Sequence, residues 1–264
     1  MNNAKNYRKY KLTEGYHLID APTTFSNSDS ARYEGVPNGW KADNRFMELS
    51  DFADRERFIY MRDEAADTFY ALNRDFKEET DGLLTAELLI GVKSTDSCAY
   101  VSLQDEAEND VVKLYIKSGV WTLSGVNENA SDVHVSSDDY KFYSVIINLD
   151  LTNGTASAVV NNRFIPEVAV KRSGVKRLKV GTEKGGTGEV KLEYVRMWKD
   201  HAVNEHFLVP DECAGEKPYG WDVEGDFVLA KTESCKGKEI YSLKSETKKG
   251  DVSSATKSFE KLDK

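Results

Sequence analysis

The chain has 264 residues, of which 39% are hydrophobic and 31% are charged, a composition typical of a folded globular protein. No hydrophobic run approaches the roughly 18 residues that a membrane-spanning helix needs, so no membrane span is expected. The formal net charge of −9 argues against a nucleic-acid partner, because affinity for a phosphate backbone depends on clustered Lys and Arg.

The first 20 residues have a mixed, polar composition and are predicted to form a tail or an edge strand. The segment 1–11 is polar and basic, and no apolar stretch follows it. This pattern does not indicate a signal peptide, whose central region is hydrophobic.

A short motif occurs twice. Pro-Asn-Gly-Trp at 37–40 returns as Pro-Tyr-Gly-Trp at 218–221, which places Trp221 181 positions after Trp40 (221 − 40). Phe76 and Phe259, in two similar charged runs, lie 183 apart (259 − 76). Nearly constant offsets indicate a repeated module. The predicted domain organisation is a tail or edge strand at 1–20, a first module at 21–208, a linker at 209–217 and a partial second β module at 218–264.

From residue 83 onward, hydrophobic and polar residues alternate, which is typical of strands with one buried face. Asn-Gly at 153–154 predicts a type I′ hairpin, which needs positive φ at both residues. Many short strands of this kind predict an all-β, antiparallel, two-sheet β-sandwich. The predicted strands are 84–92, 99–104, 112–117, 120–124, 141–150, 156–161 and 189–199.

This order of elements resembles the concanavalin A-like, or laminin-G-like, jelly-roll modules of bacterial multimodular polysaccharide-active proteins. The resemblance covers roughly residues 21–207 and implies glycan recognition or support of a catalytic module, at an extracellular or cell-surface location. It depends on the opening Pro-x-Gly-Trp, the charged run 74–78 with Gly-Leu-Leu-Thr-Ala-Glu at 82–87, the strand 141–147, and the closing strand 188–198.

The polar faces of the predicted strands provide the candidate ligand-binding residues. Sugars have apolar C–H faces that stack on aromatic rings, and hydroxyls that pair with polar side chains. We expect a saccharide platform on the central strands; the alternative is an ordinary solvated sheet face. Arg196 and Trp198 share a face of the last strand and are a candidate exposed pair. The platform residues are Glu87, Tyr100, Ser102, Gln104, Tyr115 and Lys117.

Two patterns resemble catalytic motifs but depart from them. Residues 114–121 are similar to the Tyr-x-Lys-Ala-Gly-x-Tyr stretch of jelly-roll alginate lyases. Trp121 stands where those lyases have a catalytic Tyr, and an indole has no acidic hydroxyl with which to exchange a proton. We therefore expect Trp121 to be a packing residue. Glu106, Glu108 and Asp110 have the carboxylate spacing of jelly-roll glucanases, but their loop lacks the hydrophobic neighbours that raise a carboxyl pKa. No catalytic residue is assigned.

No cofactor is expected to be required. The histidines show no metal-ligand spacing. Whether a structural calcium ion binds stays open, because the sequence contains no Asp-x-Asp-x-Asp loop that would locate its site. Cys98 is expected to be a small buried side chain, whereas Cys213 and Cys235 flank the second Trp and form a candidate pair.

The function predicted from these observations is a noncatalytic carbohydrate-binding or accessory module. Its expected partners are an oligo- or polysaccharide and neighbouring modules of the same polypeptide. Two alternatives stay open: a polysaccharide lyase or glycoside hydrolase of jelly-roll fold, and a structural or interaction domain that uses its sheet edges.

Overall fold

The computed structural model describes residues 16–17, 23–24, 39–43, 48–51, 57–93, 99–135, 141–200, 214–225, 228–233, 239–244 and 254–256. Every regular element in these ranges is a β-strand, which confirms the all-β class. None of the described residues belongs to a helix long and apolar enough to cross a membrane. The strands are β1 (Tyr16–His17), β2 (Thr23–Thr24), β3 (Lys41–Asp43), β4 (Glu48–Asp51), β5 (Arg57–Asp63), β6 (Ala71–Glu79), β7 (Leu83–Lys93), β8 (Ala99–Gln104), β9 (Asp110–Lys117), β10 (Val120–Ser124), β11 (Glu128–His134), β12 (Lys141–Asp150), β13 (Thr155–Val160), β14 (Arg163–Ala169), β15 (Val175–Thr182), β16 (Gly188–Lys199), β17 (Asp222–Glu224), β18 (Val228–Glu233), β19 (Glu239–Lys244) and β20 (Ser254–Thr256).

Two large sheets form a sandwich. The seven-stranded sheet has the order β11-β10-β9-β8-β15-β6-β3. The nine-stranded sheet has the order β14-β13-β12-β7-β16-β5-β4, and β1 and β2 also pair with β16. Neighbours along both orders are antiparallel. The two sheets belong to one compact unit, His17–Lys199.

The core lies between the hydrophobic faces of the two sheets. On β7 the alternate residues from Leu84 to Val92 are buried, and on β9 Leu114 and Ile116 are buried in the same way. Trp121 packs edge-to-face against Tyr143, with ring centroids 5.5 Å apart. The period-two pattern therefore predicted the core-facing residues of these strands correctly, because alternate side chains leave a strand on opposite sides. The polar faces of β7 and β8 differ from the prediction, since most of their residues are also buried.

The predicted Asn-Gly hairpin joins β12 to β13, but its turn type differs from the prediction. Gly154 has a positive φ of 73° and Asn153 does not. Asp150 instead closes a four-residue loop: its carboxylate accepts the Asn153 N–H at 2.8 Å, and its carbonyl accepts the Gly154 N–H at 2.8 Å. Two-residue turns with positive φ at both positions, the type I′ signature, occur at residues 118–119 and 161–162.

The C-terminal strands reproduce the pairing pattern of strands near the start of the sandwich. β3 pairs with β6 and β4 with β5, just as β17 pairs with β20 and β18 with β19. Gly39 and Gly220, one residue before each Trp of the repeated motif, have φ of 79° and 75°. The paired residues Asp43 and Ala71 correspond to Glu224 and Ser254, at offsets of 181 (224 − 43) and 183 (254 − 71). The paired residues Asp51 and Arg57 correspond to Glu233 and Glu239, both at an offset of 182 (233 − 51; 239 − 57). These offsets agree with those of the sequence motif and support a second module, which stays a prediction.

A chain truncated after Val209 is expected to unfold in one cooperative transition, because His17–Lys199 contains both faces of the large core. Urea unfolding followed by both tryptophan fluorescence and circular dichroism should give coincident curves. Separate curves, or a gradual loss of signal, would contradict the proposed boundary at 209–217.

Candidate functional site

Five predicted site residues lie together on the outward face of the seven-stranded sheet. Tyr100, Ser102 and Gln104 project from β8, and Tyr115 and Lys117 project from β9, because each alternates with residues that face the core. Tyr100 is directly opposite Tyr115 in the register of the two strands. The sheet therefore brings these five residues onto one face, but Tyr100, Ser102 and Gln104 are buried there. Their role in ligand binding stays a prediction.

The other three predicted residues lie on the other sheet. Glu87 is on β7 and Arg196 is directly opposite it on β16, where Arg196 Nε donates to Glu87 Oε2 at 2.7 Å. The prediction that Glu87 shares a face with Tyr100 is wrong, because alternation along one strand does not reveal which strands share a sheet. Arg196 is only 6% exposed and Trp198 only 4%, so the prediction of an exposed pair is also wrong. The two do share a face, and the guanidinium carbon of Arg196 lies 4.3 Å from the Trp198 ring centroid.

Lys113 is a central residue of the face that the sequence prediction missed. Its ammonium nitrogen lies 4.8 Å from the ring centroid of Tyr100 and 5.5 Å from that of Tyr115. The same nitrogen forms an ion pair with Glu183 and lies 3.9 Å from Asp110. Lys113 alternates with the buried Val112 and Leu114, and this pattern could have identified it.

Burial raises the pKa of the Tyr100 hydroxyl, and the negative charge of Glu183 acts in the same direction. Tyr100 is therefore a neutral phenol, able to pack and to hydrogen-bond but unsuited to act as a phenolate base at neutral pH.

Three neighbouring rows of residues cross this face, and their cations are ion-paired. Lys179 binds Asp43 at 2.8 Å, and Asp43 also accepts a hydrogen bond from Asn73 Nδ2 at 2.9 Å. Arg177 lies 2.6 Å from both Asp75 and Glu108. The rows, in sheet register, run Asp43–Ala71–Gly181–Tyr100–Tyr115–Thr122, Lys41–Asn73–Lys179–Ser102–Lys113, and Asp75–Arg177–Gln104–Asp110.

Three polar atoms in these rows are buried and have no hydrogen-bond partner: Asn73 Oδ1, Gln104 Oε1 and Thr122 Oγ1. Their residues are 4%, 6% and 3% exposed. A buried polar atom without a partner costs about 1–3 kcal/mol, and such atoms often mark the position of a ligand group or an ordered water. They extend from β6 to β10, which is four strand spacings or about 19 Å. Of the three, the sequence prediction included only Gln104.

Neither catalytic pattern in the sequence forms a catalytic arrangement. Trp121 points into the core and is 0% exposed, as predicted. Glu106 and Glu108 are exposed in the β8–β9 loop, where they pair with Lys176 and Arg177. The hydrogen bond from Lys176 lowers the pKa of Glu106, whereas a general acid needs a raised pKa.

No group of three or more His, Cys, Asp or Glu residues in the described part of the chain is arranged to hold a metal ion. A structural calcium ion stays a prediction. Cys98, Cys213 and Cys235 lie outside the described residues, so the pairing of Cys213 with Cys235 also stays a prediction.

The sandwich is similar to solved structures of carbohydrate-active proteins. A sialidase aligns with 69% of this chain at 12% identity and a TM-score of 0.52, and the match spans 18% of the sialidase chain. The Crh5 transglycosylase in complex with NAG aligns with 72% of this chain and 90% of its own, at 10% identity and a TM-score of 0.51. The fold of the sandwich is therefore a two-sheet jelly roll.

The evidence for this jelly roll comes from structure and not from sequence. No protein-family model matches the sequence, and no curated protein matches it. At 10–12% identity the structural likeness establishes the fold, and the function of a jelly roll has to be argued from its side chains.

Proposed function

We propose that this chain is a noncatalytic carbohydrate-binding or accessory module that binds an oligo- or polysaccharide on the outward face of the seven-stranded sheet. The observation that carries the proposal is the set of three buried, unpartnered polar atoms on that one face, on Asn73, Gln104 and Thr122. A saccharide is rich in hydroxyls, and each hydroxyl both donates and accepts hydrogen bonds. These atoms have almost no solvent-accessible surface, so a glycan hydroxyl that supplies the missing partners has to displace the side chains that cover them.

Aromatic side chains beside these atoms add to the support. Tyr100 and Tyr115 lie side by side at the middle of the sheet, with the Lys113 ammonium over both rings. Thr122 is directly opposite Tyr115, in the same row. The face thus places hydrogen-bonding groups next to the half-buried ring of Tyr115, while the Tyr100 ring is buried. Polar groups beside an aromatic ring are the combination that binds sugars.

A binding role is favoured over catalysis because two acids of this face, Asp43 and Asp75, are ion-paired. The hydrogen bond from Arg177 is the main reason that the pKa of Asp75 is lowered. Burial acts to raise the pKa of Asp43, but hydrogen bonds from Lys179 and Asn73 outweigh it and the pKa is lowered. Both groups are carboxylates at neutral pH, and neither is poised to protonate a glycosidic oxygen.

The repeated pairing pattern at the C-terminal strands supports a place in a larger protein with neighbouring modules. By resemblance to the laminin-G-like modules, that protein would be bacterial, glycan-active and extracellular or displayed at the cell surface. A structural or interaction domain is the alternative if no glycan binds.

A glycan array and a reducing-sugar assay on the same purified chain, with and without calcium, test the proposal. We expect binding without new reducing ends. New reducing ends would identify a polysaccharide lyase or glycoside hydrolase instead. If the chain shows neither glycan binding nor new reducing ends, the structural role is favoured. Loss of binding on calcium removal would identify calcium as a requirement.

A matched pair of Thr→Val variants separates binding from folding. Thr122→Val removes a buried hydroxyl that has no partner, so we expect glycan affinity to fall while stability is kept or rises. Thr85→Val, on the nine-stranded sheet, removes a hydroxyl that donates to Asn148 Oδ1 at 2.8 Å. Its expected effect is the reverse: about 1 kcal/mol less stability and unchanged glycan affinity. Equal affinity in wild type and Thr122→Val would count against this face as the binding surface.

A further inference from the structure

We propose that the glycan recognised by this face is uncharged, so that neutral saccharides bind in preference to uronate-containing or sulfated ones. This inference depends on the proposed function and specifies its ligand class. It follows from two independent properties of the three rows: the kind of hydrogen-bonding atom left without a partner, and the state of the cations beside it.

Two of the three unpartnered atoms need hydrogen-bond donors. Asn73 Oδ1 and Gln104 Oε1 are amide oxygens, which can only accept, and each amide nitrogen already donates one hydrogen bond to a carboxylate. Asn73 Nδ2 donates to Asp43 at 2.9 Å and Gln104 Nε2 donates to Asp110 at 2.8 Å. A carboxylate or sulfate group brings only acceptors, whereas a sugar hydroxyl brings a donor. The amide oxygens therefore favour ring hydroxyls over acidic substituents.

The cations of the three rows already have carboxylate partners. Lys179 binds Asp43 and Lys41 binds Asp75. Arg177 binds both Asp75 and Glu108, and Lys113 binds Glu183. Asp110, 3.9 Å from Lys113, is a fifth carboxylate beside these four cations. The net charge of the four cations and five carboxylates is therefore negative.

An acidic glycan would have to break one of these pairs. To reach Lys113 or Lys179, the glycan carboxylate would displace Glu183 or Asp43 and leave that acid without its cation. The side chains of Lys113 and Lys179 are only 18% and 15% exposed, while Glu183 and Asp43 are 33% and 39% exposed. Replacing one carboxylate by another on these lysines gains no additional ion pair, because each cation is already neutralised. The chain's net charge of −9 also disfavours the approach of a polyanion. A neutral glycan incurs neither cost.

Oligouronates and their carboxyl-reduced counterparts test the inference, because the two forms share linkage and length and differ in charge. The probes are such matched pairs on one array, with titrations of the pairs that bind. We expect the neutral member to bind at least about tenfold more tightly. Its affinity should also persist in about 1 M salt, where the screening length is about 3 Å.

A gain-of-function variant sharpens the test. Glu183→Gln removes the nearer of the two carboxylates beside Lys113 while keeping the side chain's shape, and leaves Asp110 at 3.9 Å. The ratio of uronate to neutral affinity should therefore rise by about tenfold. Glu106→Gln, in the exposed β8–β9 loop, removes the carboxylate that pairs with Lys176 of β15 and should leave that ratio unchanged.

The outcomes separate the inference from the function on which it rests. Preference of the wild-type chain for the uronate member, or binding that disappears in high salt, would overturn the neutral-ligand inference while upholding glycan binding. Binding of neither member of any pair would overturn the proposed function and this inference with it.

Discussion

Replacing Trp121 with alanine is expected to lower the free energy of unfolding by about 3–5 kcal/mol. The indole is fully buried between the sheets and packs edge-to-face on Tyr143. Removing it takes a large hydrophobic surface out of the core and leaves a cavity that the two sheets cannot close without shifting. Equilibrium urea unfolding of the Trp121→Ala variant measures the loss.

Phe164→Ala is the matched control, because Phe164 is an aromatic residue on β14 that is 42% exposed. Its expected loss of stability is under about 1 kcal/mol. Trp121→Tyr tests the catalytic alternative as well: we expect it to be folded and to release no unsaturated sugar ends, since the new hydroxyl would lie in the core. A small effect of Trp121→Ala would contradict the packing described for the sandwich.

The second large effect is expected at the Glu87–Arg196 pair on the nine-stranded sheet. Both side chains are buried and are joined by a 2.7 Å hydrogen bond. Either Glu87→Leu or Arg196→Met alone should cost about 3–5 kcal/mol, because each leaves a buried charge without its partner. The double variant should cost less than the sum of the two, since it leaves neither charge behind.

Lys176→Met provides the control for this cycle. Lys176 pairs with Glu106 in an exposed loop, where solvent screens the charges, so no measurable change in stability is expected. Strictly additive effects of the two buried substitutions would show that Glu87 and Arg196 do not depend on each other.

The sequence predicted seven of the strands and their core-facing residues, because period-two alternation is a local property, but it did not identify β5, β11, β14 or β15. It could not predict which strands are neighbours. Glu87 is 109 residues from Arg196, its direct partner. Tyr100, on the next strand along the chain, lies on the other sheet. Nothing within a single strand's pattern distinguishes these two arrangements.

The candidate site was predicted only in part for the same reason. Tyr100, Gln104, Tyr115 and Lys117 come from two strands that are consecutive in the chain and paired, so local reasoning brought them together. Asn73 comes from β6, which joins the face only because β15 pairs with both β6 and β8. The turn at 153–154 shows a further limit of local reasoning. Asp150 binds the backbone there and closes a longer loop than Asn-Gly alone predicts.

The strand order of the seven-stranded sheet also separates the face into two parts that differ in folding kinetics. β8, β9 and β10 follow one another in the chain and pair in that order, so Gln104 and Thr122 are placed by a local meander. Asn73 reaches them only after β15, some 100 residues later in the chain, has inserted between β6 and β8. Contacts of such long sequence separation form slowly, because closing the loop costs conformational entropy before the strand pairing stabilises the chain. The tyrosine side of the face should therefore be native-like early in refolding, while the Asn73 side is completed with the last cooperative step.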